Sequence, residues 1–136
     1  MKLLRSFILD IRLYFLRKFY GMDIAKNARL SLGARLDTTY PKGIHIDDET
    51  FVARGAVILA HDFCRKLRTH TYVGKRCFIG VNAIVMPGVR IGDEVIVGSG
   101  TIITKDVPSH CIVVGNPARI IKTDISTSKF GQLMDE

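Results

Sequence analysis

Between Val73 and Val107 a branched aliphatic residue returns at every sixth position: Val73, Ile79, Val85, Ile91, Val97 and Ile103. Four positions after each stands a small or β-branched residue: Cys77, Ala83, Val89, Val95, Thr101 and Val107. Glycine follows the aliphatic at Gly74, Gly80, Gly92 and Gly98. A six-residue unit is too short for a helix hairpin, but it fits a short strand and a bend. Branched residues favour the strand, and glycine readily takes the backbone angles of the bend. If the chain turns after each strand, the aliphatics face a common axis. Three sides then close a triangular coil of about 18 residues, and stacked coils pair at roughly 4.8 Å. Val73 would stack on Ile91 and Ile79 on Val97. An antiparallel domain with varied loops would not hold one phase through six units. The spacing leaves the hand of the coil open; crossovers between parallel strands are normally right-handed.

The period is weaker earlier in the chain. Ile24, Leu30 and Leu36 begin it, with Ala28 and Ala34 inside, and the phase then slips across Asp37–Gly43. It resumes at Ile46, Val52 and Ile58 and breaks again at His61–His70. An insertion in a solenoid must loop outward, and such loops are where function tends to sit. Residues 2–19 read as a helix with Leu4, Ile8, Ile11, Phe15 and Phe19 on one face. That face can cap the open end of the prism or pack on a neighbour. It can also lie on an anionic membrane surface, since the stretch is basic and amphipathic. A helix spanning the bilayer would need about 20 uninterrupted apolar residues, and Arg5, Asp10 and Arg12 interrupt this one. The chain thus divides into a helix (1–20), a repeat domain (21–122) and a polar tail (123–136) expected to be loose.

Composition narrows the partners. One domain is expected from 136 residues. A narrow prism with two open ends is marginal alone, so homo-oligomerisation is expected on physical grounds. The net charge is +7. Five basic residues (Lys2, Arg5, Arg12, Arg17, Lys18) stand against one acid, Asp10, in the first twenty. A second cluster is Arg65, Lys66, Arg68, Lys75 and Arg76. No nucleic-acid motif accompanies this charge, whereas a polyphosphate ligand would suit the second cluster. Cys64, Cys77 and Cys111 make no disulfide framework, which fits a reducing cytoplasm. Cys77 occupies an inward repeat position.

The repeat, together with His61-Asp62, Phe78-Ile-Gly-Val-Asn-Ala-Ile-Val-Met-Pro-Gly-Val89, Thr104-Lys-Asp-Val-Pro108 and Gly115-Asn-Pro-Ala-Arg119, resembles the hexapeptide-repeat acyltransferase family, in its branch of maltose, galactoside and polysaccharide O-acetyltransferases. The resemblance covers roughly residues 24–122. It implies an all-β fold: a left-handed parallel β-helix of about four coils, with an N-terminal α-helix and a loop insertion after His61. It also implies a homotrimer with sites between subunits, acetyl-CoA as acyl donor, and a sugar or glycan acceptor.

His61 is the leading catalytic candidate. It stands where the chain leaves the prism, and imidazole is the side chain whose ordinary titration spans neutral pH. A hydroxyl is a poor nucleophile until it is deprotonated, and the family's motif histidine supplies that base. Asp62 would orient His61 if the chain bends between them, or would bind acceptor. By the same resemblance Lys105 and Arg119 match positions near the coenzyme A phosphates. Gly80, Val81, Ser99 and Thr104 match positions along the pantetheine groove. Phe78 stands where relatives often carry tryptophan. Asp37 and His70 are the acceptor-binding candidates. Three readings compete: N-acetylation of a nucleotide-linked amino sugar, a non-catalytic β-helix subunit, and a zinc enzyme of the γ-carbonic anhydrase type. The last needs three converging histidines, and Val81 and Met86 occupy the places where two would stand. No metal is therefore assigned.

Overall fold

The computed structural model describes residues 1–134. It is a triangular prism of parallel strands. Face A holds β1 (Asp23–Ile24), β4 (Ile44–Ile46), β9 (Thr71–Val73) and β12 (Arg90–Ile91). Face B holds β2 (Arg29–Leu30), β5 (Phe51–Val52), β10 (Phe78–Ile79), β13 (Ile96–Val97) and β15 (Ile112–Val114), with β16 (Arg119–Lys122) antiparallel at its end. Face C holds β3 (Arg35–Leu36), β6 (Val57–Ile58), β11 (Ile84–Val85) and β14 (Ile102–Ile103). Four complete coils result, and Val107 and β15 begin a fifth.

The periodic aliphatics are the core. Ile79, Val85, Val97 and Ile103 are fully buried, as are Val52 and Ile58 below them. Val73 pairs with Ile91 and Ile79 with Val97, one 18-residue coil apart. Cys77 is buried, and burial pushes its thiol up to about 12. It is a core residue, as its repeat position implies.

The two phase slips change the pairing offset without disturbing the stack. Leu36 pairs with Ile58, 22 positions on, and Ile58 with Val85, 27 positions on. The extra residues leave the prism at one place. Asp37–Gly43 runs from β3 on face C to β4 on face A, and the second insertion runs from β6 to β9 between the same faces. The insertions therefore lie one above the other at the C–A edge. Gly43 seals the join, because a Cβ there would collide with the Thr69 carbonyl and with the Ala60 and Tyr40 side chains.

Residues 123–134 of the tail are ordered against the body, contrary to the expectation of a loose segment, and its last two residues lie outside the described residues. Ile125 and Thr127 are buried. The Ile125 N–H donates to the His110 carbonyl, the Thr127 N–H to Glu94 and its hydroxyl to the Arg76 carbonyl, and the Phe130 N–H to the Glu49 carbonyl. His110, Glu94, Arg76 and Glu49 are the left-handed corner residues of successive coils at the A–B edge. The tail is thus a strap running back down that edge. It ends with the Arg29 guanidinium 4.2 Å above the Phe130 ring, on the first coil. A polar composition concealed this, because the strap is held largely by hydrogen bonds.

Helix α1 (Lys2–Lys18) lies against the first coil. It does not use the face singled out by its periodicity: Leu4, Ile8, Ile11, Phe15 and Phe19 are all exposed. Leu16 and Leu13 pack on the body instead, and Arg12 donates to the carbonyls of Ser31 (2.6 Å) and Ala34 (2.5 Å).

Candidate functional site

The stacked insertions bring Asp37 to His61. The Asp37 carboxylate is buried, its side chain 3% exposed. Its Oδ2 accepts the N–H of Ala60 at 2.8 Å, the N–H of His61 at 3.0 Å and Nδ1 of His61 at 2.5 Å. Its Oδ1 accepts the Thr39 N–H at 2.9 Å. Burial alone would push this carboxyl up. The hydrogen bonds from Ala60, His61 and Thr39 overcome that and hold it below its ordinary value of 3.8. An ionised carboxylate only accepts. The proton of neutral His61 therefore sits on Nδ1, which leaves Nε2 with its lone pair. The imidazole is about one-third exposed, and Nε2 is the ring nitrogen turned away from Asp37.

Asp62 does not orient His61. The two residues form β7 (His61–Asp62), which pairs antiparallel with β8 (Leu67–Arg68) in a projecting hairpin. Neighbours on a strand point apart. The Asp62 carboxylate accepts Nε of Arg65 at 2.6 Å and its N–H at 3.1 Å, and those bonds hold its carboxyl below the ordinary value. It staples the hairpin turn. Asp37, expected to touch acceptor, takes the orienting role instead, because the shared edge places it beneath His61. The missed signal was that both phase slips follow a face-C strand.

His70 belongs to a second arrangement at the end of the same loop. Its Nδ1 lies 2.8 Å from Nε2 of His45, and Nδ1 of His45 lies 2.7 Å from Oδ2 of Asp23. With Asp23 ionised, the neutral chain has one arrangement. His45 donates to Asp23, His70 donates to His45, and Nε2 of His70 keeps a lone pair. The His45 ring stacks on Tyr72 at 4.3 Å, and Arg90 sits 3.9 Å above Tyr72. Tyr40 meets His70 edge-on at 5.8 Å. Asp23, His45, Tyr72 and Arg90 are register partners on face A, so the sheet itself builds this column. Single-sequence reading missed His45, which lies inside a strand with no irregularity to mark it.

The cofactor candidates border face C. Thr104 and Lys105 follow β14, on the same C–A edge as His61. They stand two coils further on, about 10 Å along the axis at ordinary strand spacing. Both are exposed. Gly80, Val81 and Ser99 lie on the opposite B–C edge of that face. There the Gly100 N–H donates to the Val81 carbonyl, and a Cβ on Gly80 would come within 2.5 Å of the Val97 carbonyl. Arg119 is exposed at the start of β16. Phe78 stands apart on face B, edge-on to Phe51 at 5.7 Å. The strap covers it, since a Cβ on Gly131 would meet the Phe78 backbone and Cβ. Phe78 remains half-buried there, away from the candidates that border face C. Two concavities of the lone chain lie elsewhere, one along the face-A column and one beneath α1, and neither is lined by His61. Among the described residues no group of three or more His, Cys, Asp or Glu could hold a metal ion.

A prism of hexapeptide coils whose two stacked insertions join an aspartate to a histidine has the architecture of the hexapeptide-type left-handed parallel β-helix, and comparison with known proteins agrees. The family description "Hexapeptide repeat of succinyl-transferase" matches residues 71–105. YvoF of Bacillus subtilis (strain 168), an acetyltransferase by assignment only, is 35% identical over 113 residues. The match covers 79% of this chain, but this chain spans only 63% of that relative's length. The structure of a maltose O-acetyltransferase from Clostridium difficile 630 superposes with a TM-score of 0.63 at 27% identity, covering 82% of this chain and 74% of the other. The hexapeptide-repeat acetyltransferase VCA0836 of Vibrio cholerae O1 biovar eltor, solved with acetyl coenzyme A, shares the fold. Its TM-score is 0.57 at 21% identity, covering 88% and 85%. In its repeat and its fold the chain is similar to the hexapeptide-repeat acetyltransferases.

Proposed function

We propose that this chain is an acetyl-CoA-dependent O-acetyltransferase of a sugar or glycan precursor, working by direct transfer with His61 as general base. The observation that carries the reading is the buried Asp37 carboxylate on Nδ1 of His61, which fixes the tautomer with Nε2 outward. The acceptor hydroxyl gives its proton to Nε2 as its oxygen attacks the thioester carbonyl carbon. The carbon–sulfur bond then breaks, and the imidazolium returns the proton to the departing thiolate. No acyl-enzyme is required. A positioned base of this kind is worth about 10²–10⁴-fold. Lys105 and Arg119 supply charge for the phosphates of the donor, and the strip between Gly80, Val81, Ser99 and Thr104 supplies a wall for its pantetheine arm. His70 presents a second acceptor nitrogen for the incoming sugar. Maltose, named as the substrate of one structural relative, supports a carbohydrate acceptor, and surface-polysaccharide synthesis would use such a product.

The lone chain leaves His61 on an open surface. Excluding water from a transfer step needs a second wall, and a homotrimer would supply it by setting a neighbour's face against the C–A edge. Three unpaired cysteines fit the reducing cytoplasm as the place of work.

Calorimetric titration with acetyl-CoA is the test that needs no knowledge of the acceptor. Saturable binding is expected, weakened in Lys105→Ala and Arg119→Ala and retained in His61→Ala. Parallel assays with hydroxyl and amino-sugar acceptors then separate O- from N-transfer. Absence of binding at millimolar donor, in a folded trimeric sample, would overturn the assignment.

A further inference from the structure

We propose that α1 is a membrane-docking element that lays its outward face into the interface of an anionic lipid bilayer. The helix has two apolar faces, and the smaller one holds it to the prism. Leu13 and Leu16 pack on the body, fastened by Arg12 on the Ser31 and Ala34 carbonyls. The opposite arc carries Leu4, Phe7, Ile8, Ile11, Tyr14 and Phe15, each 43–64% exposed. They fall within one contiguous stripe at 100° per residue, which Leu3 and Phe19 extend. An apolar stripe of this size on a monomer surface marks an interaction site.

The charge around the stripe selects the occupant. Arg12 is turned inward and Lys2 and Arg5 border the concavity beneath the helix, while exposed Lys18 falls within the stripe and half-buried Arg17 beyond its edge. Asp10 is the only acid of the helix. The first coil adds exposed Lys26, Arg29 and Arg35 at the same end of the prism. A second copy meeting this face with its own would bring two such basic surfaces together. Anionic headgroups would neutralise them while the acyl boundary takes the aromatics, and long side chains such as Lys18 and Arg17 extend from an embedded stripe to the headgroups. Among the described residues no helix is long and apolar enough to cross a membrane, so the geometry is that of a helix lying in the interface plane.

The inference stands independently of the transferase reading, and its test uses no catalytic readout. The full chain is mixed with vesicles of phosphatidylcholine alone, or of phosphatidylcholine and phosphatidylserine at three to one, and binding is read by flotation. Sedimentation gives the oligomeric mass in parallel. Binding to the anionic vesicles is expected, weakened by salt, and reduced at least about tenfold in the Phe7→Asp/Ile11→Asp variant. That variant changes only exposed side chains, so its oligomeric mass and its melting temperature should match wild type. No binding, or equal binding to both vesicle types, overturns the proposal. A variant that loses oligomeric mass overturns it too, in favour of a second copy of this chain as the occupant of the stripe.

Discussion

Asp37 and Asp23 each hold a histidine through Oδ2 and Nδ1, at 2.5 Å and 2.7 Å, yet the two pairs differ in kind. The Asp37 side chain is 3% exposed and that of Asp23 is 76% exposed. Asp37 sits in an insertion and is gripped by three backbone N–H groups. Asp23 lies on the first strand of face A and reaches one histidine. A buried, fully bonded carboxylate fixes the tautomer and direction of its partner, because any other arrangement leaves buried groups unpaired. An exposed one competes with water, and its histidine depends on stacking and on the next ring for its position. The Asp37 pair is therefore the one suited to the proposed general base, and the Asp23 column is suited to ligand contact.

The sharpest way to break this comparison is to remove each histidine. His61→Ala should lower kcat by roughly 10²–10⁴-fold with acetyl-CoA affinity unchanged, read by steady-state assay and calorimetry. Asp37→Asn comes next, with a kcat loss of roughly 10²-fold, since an amide no longer dictates the proton on Nδ1. That variant also tests the linkage. The folded-state carboxyl of Asp37 lies below its unfolded value, so the unfolded chain binds more protons as acid is added. The stability due to its ionisation is present above the ordinary carboxyl range and is lost as pH falls through the folded value. Thermal melts should therefore show wild type above Asp37→Asn at pH 7, with the gap closing below about pH 4. A gap independent of pH would mean that Asp37 acts through packing.

The difference between these regions also governs what could be read from sequence. The six-residue period of Val73–Ile103 made the prism, its stacking pairs and its core legible, because burial on a repeating axis tolerates only branched and small side chains there. His61 was legible as the residue at which the period breaks. Its partner was not. Which of Asp37 and Asp62 turns toward His61 depends on the edge at which each insertion leaves the prism, and nearness in sequence misled. The strap from Thr123 was hidden for a related reason: its anchors are carbonyls and a carboxylate at coil corners, and these leave no apolar pattern. The outward face of α1 was visible as a stripe, but periodicity alone does not say which side of a helix meets the body.

The column on face A gives the smaller effects, and they sharpen the contrast. His70→Gln should leave kcat within about threefold and raise KM for the acceptor by roughly three- to tenfold, the size of one lost hydrogen bond. Acetyl-CoA affinity should not move. Asp23→Asn should do less, about twofold or under on acceptor KM, because an exposed carboxylate contributes little net energy to its pair. The double variant carries the argument. If Asp23 works only through His45 and His70, adding Asp23→Asn to His70→Gln should cost nothing further, whereas independent contacts would multiply. A full multiplicative loss, or an effect of Asp23→Asn as large as that of Asp37→Asn, would show that exposure does not separate the two pairs. The face-A column would then have to be treated as part of the catalytic machinery.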